Sequence, residues 1–578
     1  MINRYFYNLS IILFGIIILT FLISSIGLAL HIPINIFYIM IPTFIALFYL
    51  KKFSQTKDDF LRQLLVLLLV LLFSYYLSLF FWDNSWDGKS YHMASIIMLK
   101  KGWLPIYDNL SEVAQKFVIY PFNASFAEIY PKFCETIGAN FYKITGYIES
   151  SKTANFVLLF SVFMYSYSVF KEFITKNILI IILSLLVCIN PVCICEIFTN
   201  LVDLHIYYAF VFLILTILKI EKSKTKTKVD EFVIIGSSIM LSSIKLTGIA
   251  YLTVIYFCWG IYLIIEKKEI KSLVKYAFIL ALLTLITCIN PYITNFKNYG
   301  HPFHPVMGRN KIDIITMQYP RGFKDKNSIE RFLISTFAES SNSIENHPIR
   351  ALNQPVNLKI PFTIIKNSPL RSFKVADMRV GGFGYYWSGI LCLTILLFFF
   401  LRFDSTENKK LFFFTLSIIL LSVISNPHAW WARFVPQLWL LPIFSVMFAA
   451  SDIKSFEKTR KFISYVCVFF IFLNSIIVIQ NQISFNYKYS SYNRQLFDMV
   501  EKQSIPKGIY FMRNADYKDK LADETILPHL EERHIKLLKE EYNRDKILKE
   551  KFLSLQLLPI YDFYYFYKPV LIDNSLNK

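Results

Sequence analysis

Residues 60–92 read FLRQLLVLLLVLLFSYYLSLFF followed directly by WDNSWDGKSYH. The first part is an apolar run of about 20 residues, the length a helix needs to cross the hydrocarbon of a bilayer. The second, from Trp82 to His92, gathers two carboxylates (Asp83, Asp87), two indoles (Trp82, Trp86), a phenol (Tyr91) and an imidazole (His92) at its end. Ionisable groups at that depth are costly and mark a site by default. The stretch therefore sets two expectations together: a membrane-spanning chain, and a first loop equipped for chemistry.

The rest of the sequence repeats the first expectation. With 55% hydrophobic residues in 578 and a mean hydropathy of +0.45, the chain is too apolar for a water-soluble enzyme of this size. Apolar runs lie near 5–30, 33–50, 60–81, 153–170, 177–192, 203–219, 231–247, 249–265, 273–290, 386–401, 411–426, 433–450 and 462–481. They predict an all-α polytopic membrane protein of about 13 spans. The first run is longer than a signal-peptide core and lacks a small-residue cleavage site, so it reads as a retained span.

The net charge of +20 does not point to nucleic acid, because of where it falls. Lysines 51, 52, 171, 176, 222, 224, 226, 228, 267, 268, 271 and 275 lie in short loops between spans, as do Arg402, Lys409, Lys410, Lys454, Lys458, Arg460 and Lys461. That is the signature of cytoplasmic loops. A single orientation satisfies all of them: amino terminus inside, carboxyl terminus outside, with large outer loops at 82–152 and 291–385. Residues 1–483 then form the membrane domain. Residues 484–578 read as a small soluble α/β domain outside, with strands at 508–512 and 564–572 and a charged surface helix over 531–551. The Ile, Phe, Lys and Asn bias suggests a bacterial source, hence an inner-membrane location. The eight cysteines show no CxxC pairing or zinc-ligand spacing.

In the first loop, residues 88–101 predict an amphipathic helix with Asp87 at its start. Two readings stand for Asp87: a helix N-cap, or a carboxylate that takes a proton from a sugar hydroxyl as it attacks an anomeric carbon. The second also accounts for the neighbouring indoles, whose faces suit pyranose rings. Elsewhere Glu196, Asp203 and His205 sit near the start of the sixth span, Lys245 at the end of the seventh and Arg433 at a late span entrance. Glu196 and Asp203 read either as turn and cap residues or as groups that orient an acceptor or a divalent cation. Lys245 reads either as snorkelling or as a phosphate partner. A guanidinium such as that of Arg433 suits bidentate phosphate contacts. In the second outer segment, His301 and His304, three apart, read either as metal ligands or, with prolines after each, as extended-turn residues. Glycines 381, 382 and 384 follow no strand and open no nucleotide-binding helix. Arg371, Arg379 and Tyr385 are candidates to line a donor pocket.

The stretch from Asp87 to His92, then Lys101, Gly102, Trp103, Leu104 and Pro105, then residues 120–128 (YPFNASFAE), resembles the first-loop signature of GT-C-type glycosyltransferases. Bacterial multi-span enzymes related to the protein O-mannosyltransferases and the lipid A aminoarabinose transferase belong to that group. The resemblance implies a sugar transferred from a polyprenyl-phosphate-type lipid donor to an acceptor outside the cytoplasm, generally with inversion. It maps the first-loop catalytic aspartate onto Asp87, with Asp83 as the fallback. Tyr91, His92, Trp86, Glu196, Asp203, His205, Lys245, Arg379 and Arg433 become the substrate-binding set. If a metal such as Mg or Mn takes part, Asp87, Glu196 and Asp203 are its candidate ligands. This chain departs from the pattern by placing three spans before the loop, and by having Gly88 where an acidic partner commonly follows the aspartate. Two other classes fit the membrane character: a transporter or flippase of lipid-linked glycans, and a non-catalytic scaffold or a glycan polymerase or ligase.

Overall fold

The computed structural model describes residues 2–116, 124–313, 315–340, 356–363, 373–451, 458–504, 509–511, 528–534, 555–562 and 566–573. Of the readings above, Arg371, Lys454, residues 120–123 of the first-loop signature and most of the surface helix over 531–551 lie outside them. Each of the thirteen apolar runs coincides with a helix. Six of these helices are long and apolar enough to cross a membrane, and a seventh is a pair, Lys271–Thr287 and Ile289–Tyr299, bent by 84°. Asn177–Cys188, Trp387–Phe400 and Pro436–Ser451 are apolar but shorter. The chain is a helical, multi-pass membrane protein.

Local signals start several of these helices. Thr56 accepts from the Asp59 amide at 3.1 Å and so caps Lys57–Phe80, whose first turn carries Asp58 and Asp59. Thr227 and Asp230 form a reciprocal capping box at the start of Lys228–Ile244, and Ser405 caps Thr406–Ile424. The helix Asp203–Ser223 lies at the centre, with 94% of its most apolar window buried. Phe210, Leu213, Ile214 and Leu218 belong to the main core with Phe14, Val162 and Met447. Lys57–Phe80, only 22% buried, turns Leu61, Leu65, Leu68, Leu72 and Tyr76 outward. Side chains of that kind on a bundle's rim face lipid.

The basic loops meet at one end of the bundle. Lys222 and Lys224 both pair with Glu407, Lys226 with Glu231, Lys268 with Glu221 and Lys410 with Glu266. Lys222 stands at the far end of Asp203–Ser223 from Asp203. A helix of 21 residues is about 30 Å long at 1.5 Å per residue, the thickness of a bilayer core. Asp203 therefore lies roughly a membrane's depth from the basic loops.

The last predicted span is part of a longer helix. Lys458–Ser504 runs 47 residues, through position 484 without a break. Beyond it, β1 (Ile509–Phe511), β2 (Leu555–Asp562) and β3 (Phe566–Asp573) form an antiparallel sheet in the order β1-β3-β2. β1 and β3 fall where the sequence places strands, and β2 does not appear in that reading. The helical turn from residue 528 stops at 533–534, where His534 has a φ of 55°.

Candidate active site

The first loop begins with a hinge of hydrogen bonds around Asp83. Its Oδ1 accepts from the Ser85 amide and hydroxyl at 2.8 and 2.7 Å, and its Oδ2 from the Asn200 amide and side chain at 2.7 and 2.9 Å. A carboxylate with four such bonds, 1% exposed, is a structural pin between the first loop and the turn before Asp203–Ser223. Trp82 is also engaged: its ring lies against His529 and Phe497. That face is occupied by the protein's own side chains, whereas Trp86 is 43% exposed.

The helix predicted over 88–101 begins as a π-helical turn, Gly88–His92, and continues as an α-helix over Met93–Lys100. Such wide turns recur at functional sites. Asp87 precedes the turn with helical backbone angles (φ −60°, ψ −39°) and makes no side-chain cap bond, so the N-cap reading does not hold. Its carboxylate turns to Arg433 instead, with Nη2 donating to Oδ2 at 2.8 Å.

Arg433 is the hub. Its Nε faces Asp377 Oδ1 at 3.2 Å and Asp203 Oδ2 at 3.8 Å. Lys245 Nζ donates to the other oxygen of Asp203 at 2.9 Å. Arg379 reaches Asp377 Oδ2 through Nε and Nη2, both at 2.9 Å, and Gln318 through Nη1 at 3.1 Å. Trp431 Nε1 donates to Asp377 Oδ1 at 2.8 Å, with the Arg379 guanidinium 4.3 Å above its ring. Three cations thus face three carboxylates. Asp87, at 25% side-chain exposure against 3% for Asp203 and 8% for Arg433, is the most accessible member. Burial pushes the Asp377 carboxyl up, but Arg379 and Arg433 beside it outweigh that and hold it below its ordinary value.

Backbone packing aims these groups. The amides of Ala432 and Arg433 donate to the carbonyls of Arg379 and Met378 at 3.3 and 3.1 Å. A Cβ on Gly382 would stand 2.6 Å from Ala432 Cβ, so this glycine serves close packing against the turn. Lys245 sits in extended backbone (φ −161°, ψ 155°) at the break between Lys228–Ile244 and Leu246–Ile265. The break carries its side chain toward Asp203 and over the Phe434 ring, 4.6 Å from the centroid.

The remaining candidates divide. Tyr91 stacks on Tyr130 at 5.8 Å beside the cluster. Burial, then the Asp87 charge, raises both phenols, Tyr130 to about 12. His92 Nδ1 lies 2.6 Å from Glu135 Oε1, both nearly fully buried. His205 is buried, and its Nδ1 has no hydrogen-bond partner among the described residues. Glu196 Oε2 accepts from the Leu204 amide at 2.8 Å, so it caps the helix that Asp203 opens. Its burial, with Asp203 second, raises its carboxyl well above the ordinary range. His301 Nδ1 accepts from the Phe303 amide at 3.1 Å, and His304 stacks on Tyr299; both are turn residues. Tyr385 packs its ring against Phe373.

Asp87, Glu196 and Asp203 do not fit a metal. Among the described residues no group of three or more His, Cys, Asp or Glu side chains could hold one. Asp87 and Asp203 instead face Arg433 and Lys245. Two members of this neighbourhood are new with the structure, Asp377 and Glu135. The first stands two residues before a singled-out arginine, and an acid so close to a buried guanidinium was the available signal. Glu135 offered none, since its partner lies 43 residues away.

No family model matches the chain, and no curated protein matches it. Among solved structures, ArnT from Cupriavidus metallidurans bound to undecaprenyl phosphate is similar, with a TM-score of 0.46 and 11% identity, over 89% of this chain and 98% of that one.

Proposed function

We propose that the protein is a GT-C-like glycosyltransferase of the bacterial inner membrane, moving a sugar from a polyprenyl-phosphate-type lipid donor to an extracytoplasmic acceptor. The observation that carries this reading is the meeting of Asp87, Arg433, Asp203, Lys245, Asp377 and Arg379 at one helix end. That end lies about 30 Å from the basic loops. With those loops inside, the cluster faces outward, as do residues 484–578.

In this reaction the Asp87 carboxylate accepts the proton of an acceptor hydroxyl. The hydroxyl oxygen bonds to the anomeric carbon from the side opposite the phosphate, the carbon–phosphate-oxygen bond breaks, and the configuration inverts. Arg433, with Arg379 and Lys245 behind it, offsets the charge growing on the leaving phosphate, which is where fixed cations lower a barrier most. Trp86 and Tyr91 supply aromatic surface for the sugar. Asp83 serves by holding the loop.

A transporter or flippase would carry charged groups near mid-membrane on broken helices. The clustering at helix ends favours the transferase, and a polymerase or ligase of lipid-linked glycans remains a neighbouring activity of the same site. The test is sugar transfer by purified protein from a panel of labelled polyprenyl-phosphate sugars. Asp87→Asn is expected to lower turnover by about 10²–10⁴-fold, the usual worth of a general base, with no loss of donor binding. Full turnover in that variant would remove Asp87 from the chemistry and the mechanism with it.

A further inference from the structure

Arg433 is held from two sides, and the two holds differ in kind. On one side Nε faces Asp377, which Trp431 and Arg379 fix in turn. Asp377 also belongs to the backbone segment paired with Ala432 and Arg433 themselves. That side is built in. On the other side Nη2 reaches Asp87, which arrives from 346 residues away at the head of a π-helical turn. Among the described residues the Asp87 carboxylate has no other hydrogen bond, whereas Asp377 is bonded by Trp431 and Arg379 as well.

The Asp87 oxygen that Arg433 holds is turned to the cation, and so is not aimed at an acceptor hydroxyl. A phosphate presents more charge and two oxygens to the same planar fork. The geometry points to an exchange on Arg433: at rest Nη2 holds Asp87, and the phosphate of the lipid donor displaces it, freeing the carboxylate only once the donor is seated. Asp377 is the positioning residue that keeps Arg433 in place while its outer partner changes. This rests on the proposed transferase reading and adds an order to it, donor before acceptor activation.

The experiment uses full-length wild-type protein and undecaprenyl phosphate as the probe. Carboxylates are labelled with a carbodiimide and an amine, and the peptide bearing Asp87 is quantified by mass spectrometry with and without the lipid. Exchange predicts several-fold more label on Asp87 when the lipid is present. It also predicts that Asp87→Asn binds the lipid several-fold more tightly than wild type, and that Asp377→Asn, which keeps an acceptor for Trp431, binds it more weakly. Lipid binding with unchanged or lower labelling of Asp87 would overturn the exchange and leave the transferase reading standing. No lipid binding by wild type or by Asp87→Asn would overturn both.

Discussion

Trp82 and His529 lie ring on ring, with centroids 3.8 Å apart and planes 3° from parallel. The stack closes one indole of the first-loop motif with a residue from the far end of the chain. Around it, the Ile148 amide donates to Glu532 at 2.6 Å and Lys101 pairs with Glu531 at 2.8 Å. Residues 528–534 are therefore a clasp on the loop that carries Asp87.

The clasp responds to pH. His529 Nε2 stands 3.4 Å from Glu149, and Nδ1 stands 3.3 Å from Glu532. Burial lowers the imidazole's affinity for a proton, but its bonds to both carboxylates outweigh that and raise its pKa above the ordinary 6.5. Lys152, paired with Glu149, and Arg533, over the Trp82 ring, are the cations facing the same pocket. A raised pKa gives stability that is full below the unfolded value and lost as pH rises through the folded one. Protection of 528–534 against hydrogen exchange, relative to the intrinsic rate at each pH, is expected to fall as pH climbs from about 6 to 8, across the histidine range. His529→Gln should flatten that dependence. Equal protection across the range in wild type would show that the stack alone holds the clasp.

Asp83→Ala removes four hydrogen bonds and leaves the Ser85 and Asn200 amides buried without their acceptor. Breaking a buried, fully bonded carboxylate costs about 2–4 kcal/mol. Thermal unfolding should show that loss, with donor turnover falling through displacement of the loop. A variant as stable as wild type would contradict the role of pin.

Gly384 has a φ of +109°, and a Cβ there would stand 2.3 Å from Asn474 Oδ1. That amide accepts from Tyr386 at 3.0 Å and donates to the Phe383 carbonyl at 2.8 Å. Gly384→Ala therefore combines backbone strain with the loss of both bonds, about 2–4 kcal/mol. Gly146→Ala is its control: φ is +79° but nothing lies within 4 Å, so only strain of about 1 kcal/mol is expected. Equal melting of the two variants would remove the contact with Asn474 as the reason for the glycine.

The helices were legible because lipid leaves the backbone one way to satisfy itself, so each apolar run had to coil. Asp87 and Arg433 were legible as charged groups at span ends. Their pairing was not, since it joins residues 346 apart through a tertiary arrangement that no local pattern encodes. For the same reason Trp82 reads as a free stacking face until His529 covers it, and of the two readings of Glu196 the bond from the Leu204 amide matches the cap. The extension of the last span past 484 escaped a hydropathy reading because its polar half still has helical propensity but no apolar signal.

That extension makes Lys458–Ser504 a lever. At 47 residues it is about 70 Å long, more than twice a bilayer core of about 30 Å. Along its length Asn474 holds the Gly384 turn, Gln482 the Phe373 carbonyl, Asn486 the Asn84 amide and Ser490 the Trp82 backbone. A helix embedded at one end tilts to match the lipid it sits in, and every degree of tilt is magnified at the protruding end. Lipid thickness thus becomes a coordinate of the first loop. Sugar transfer in nanodiscs of graded acyl length should rise and fall around one thickness, whereas a flat profile would mean the lever does not move.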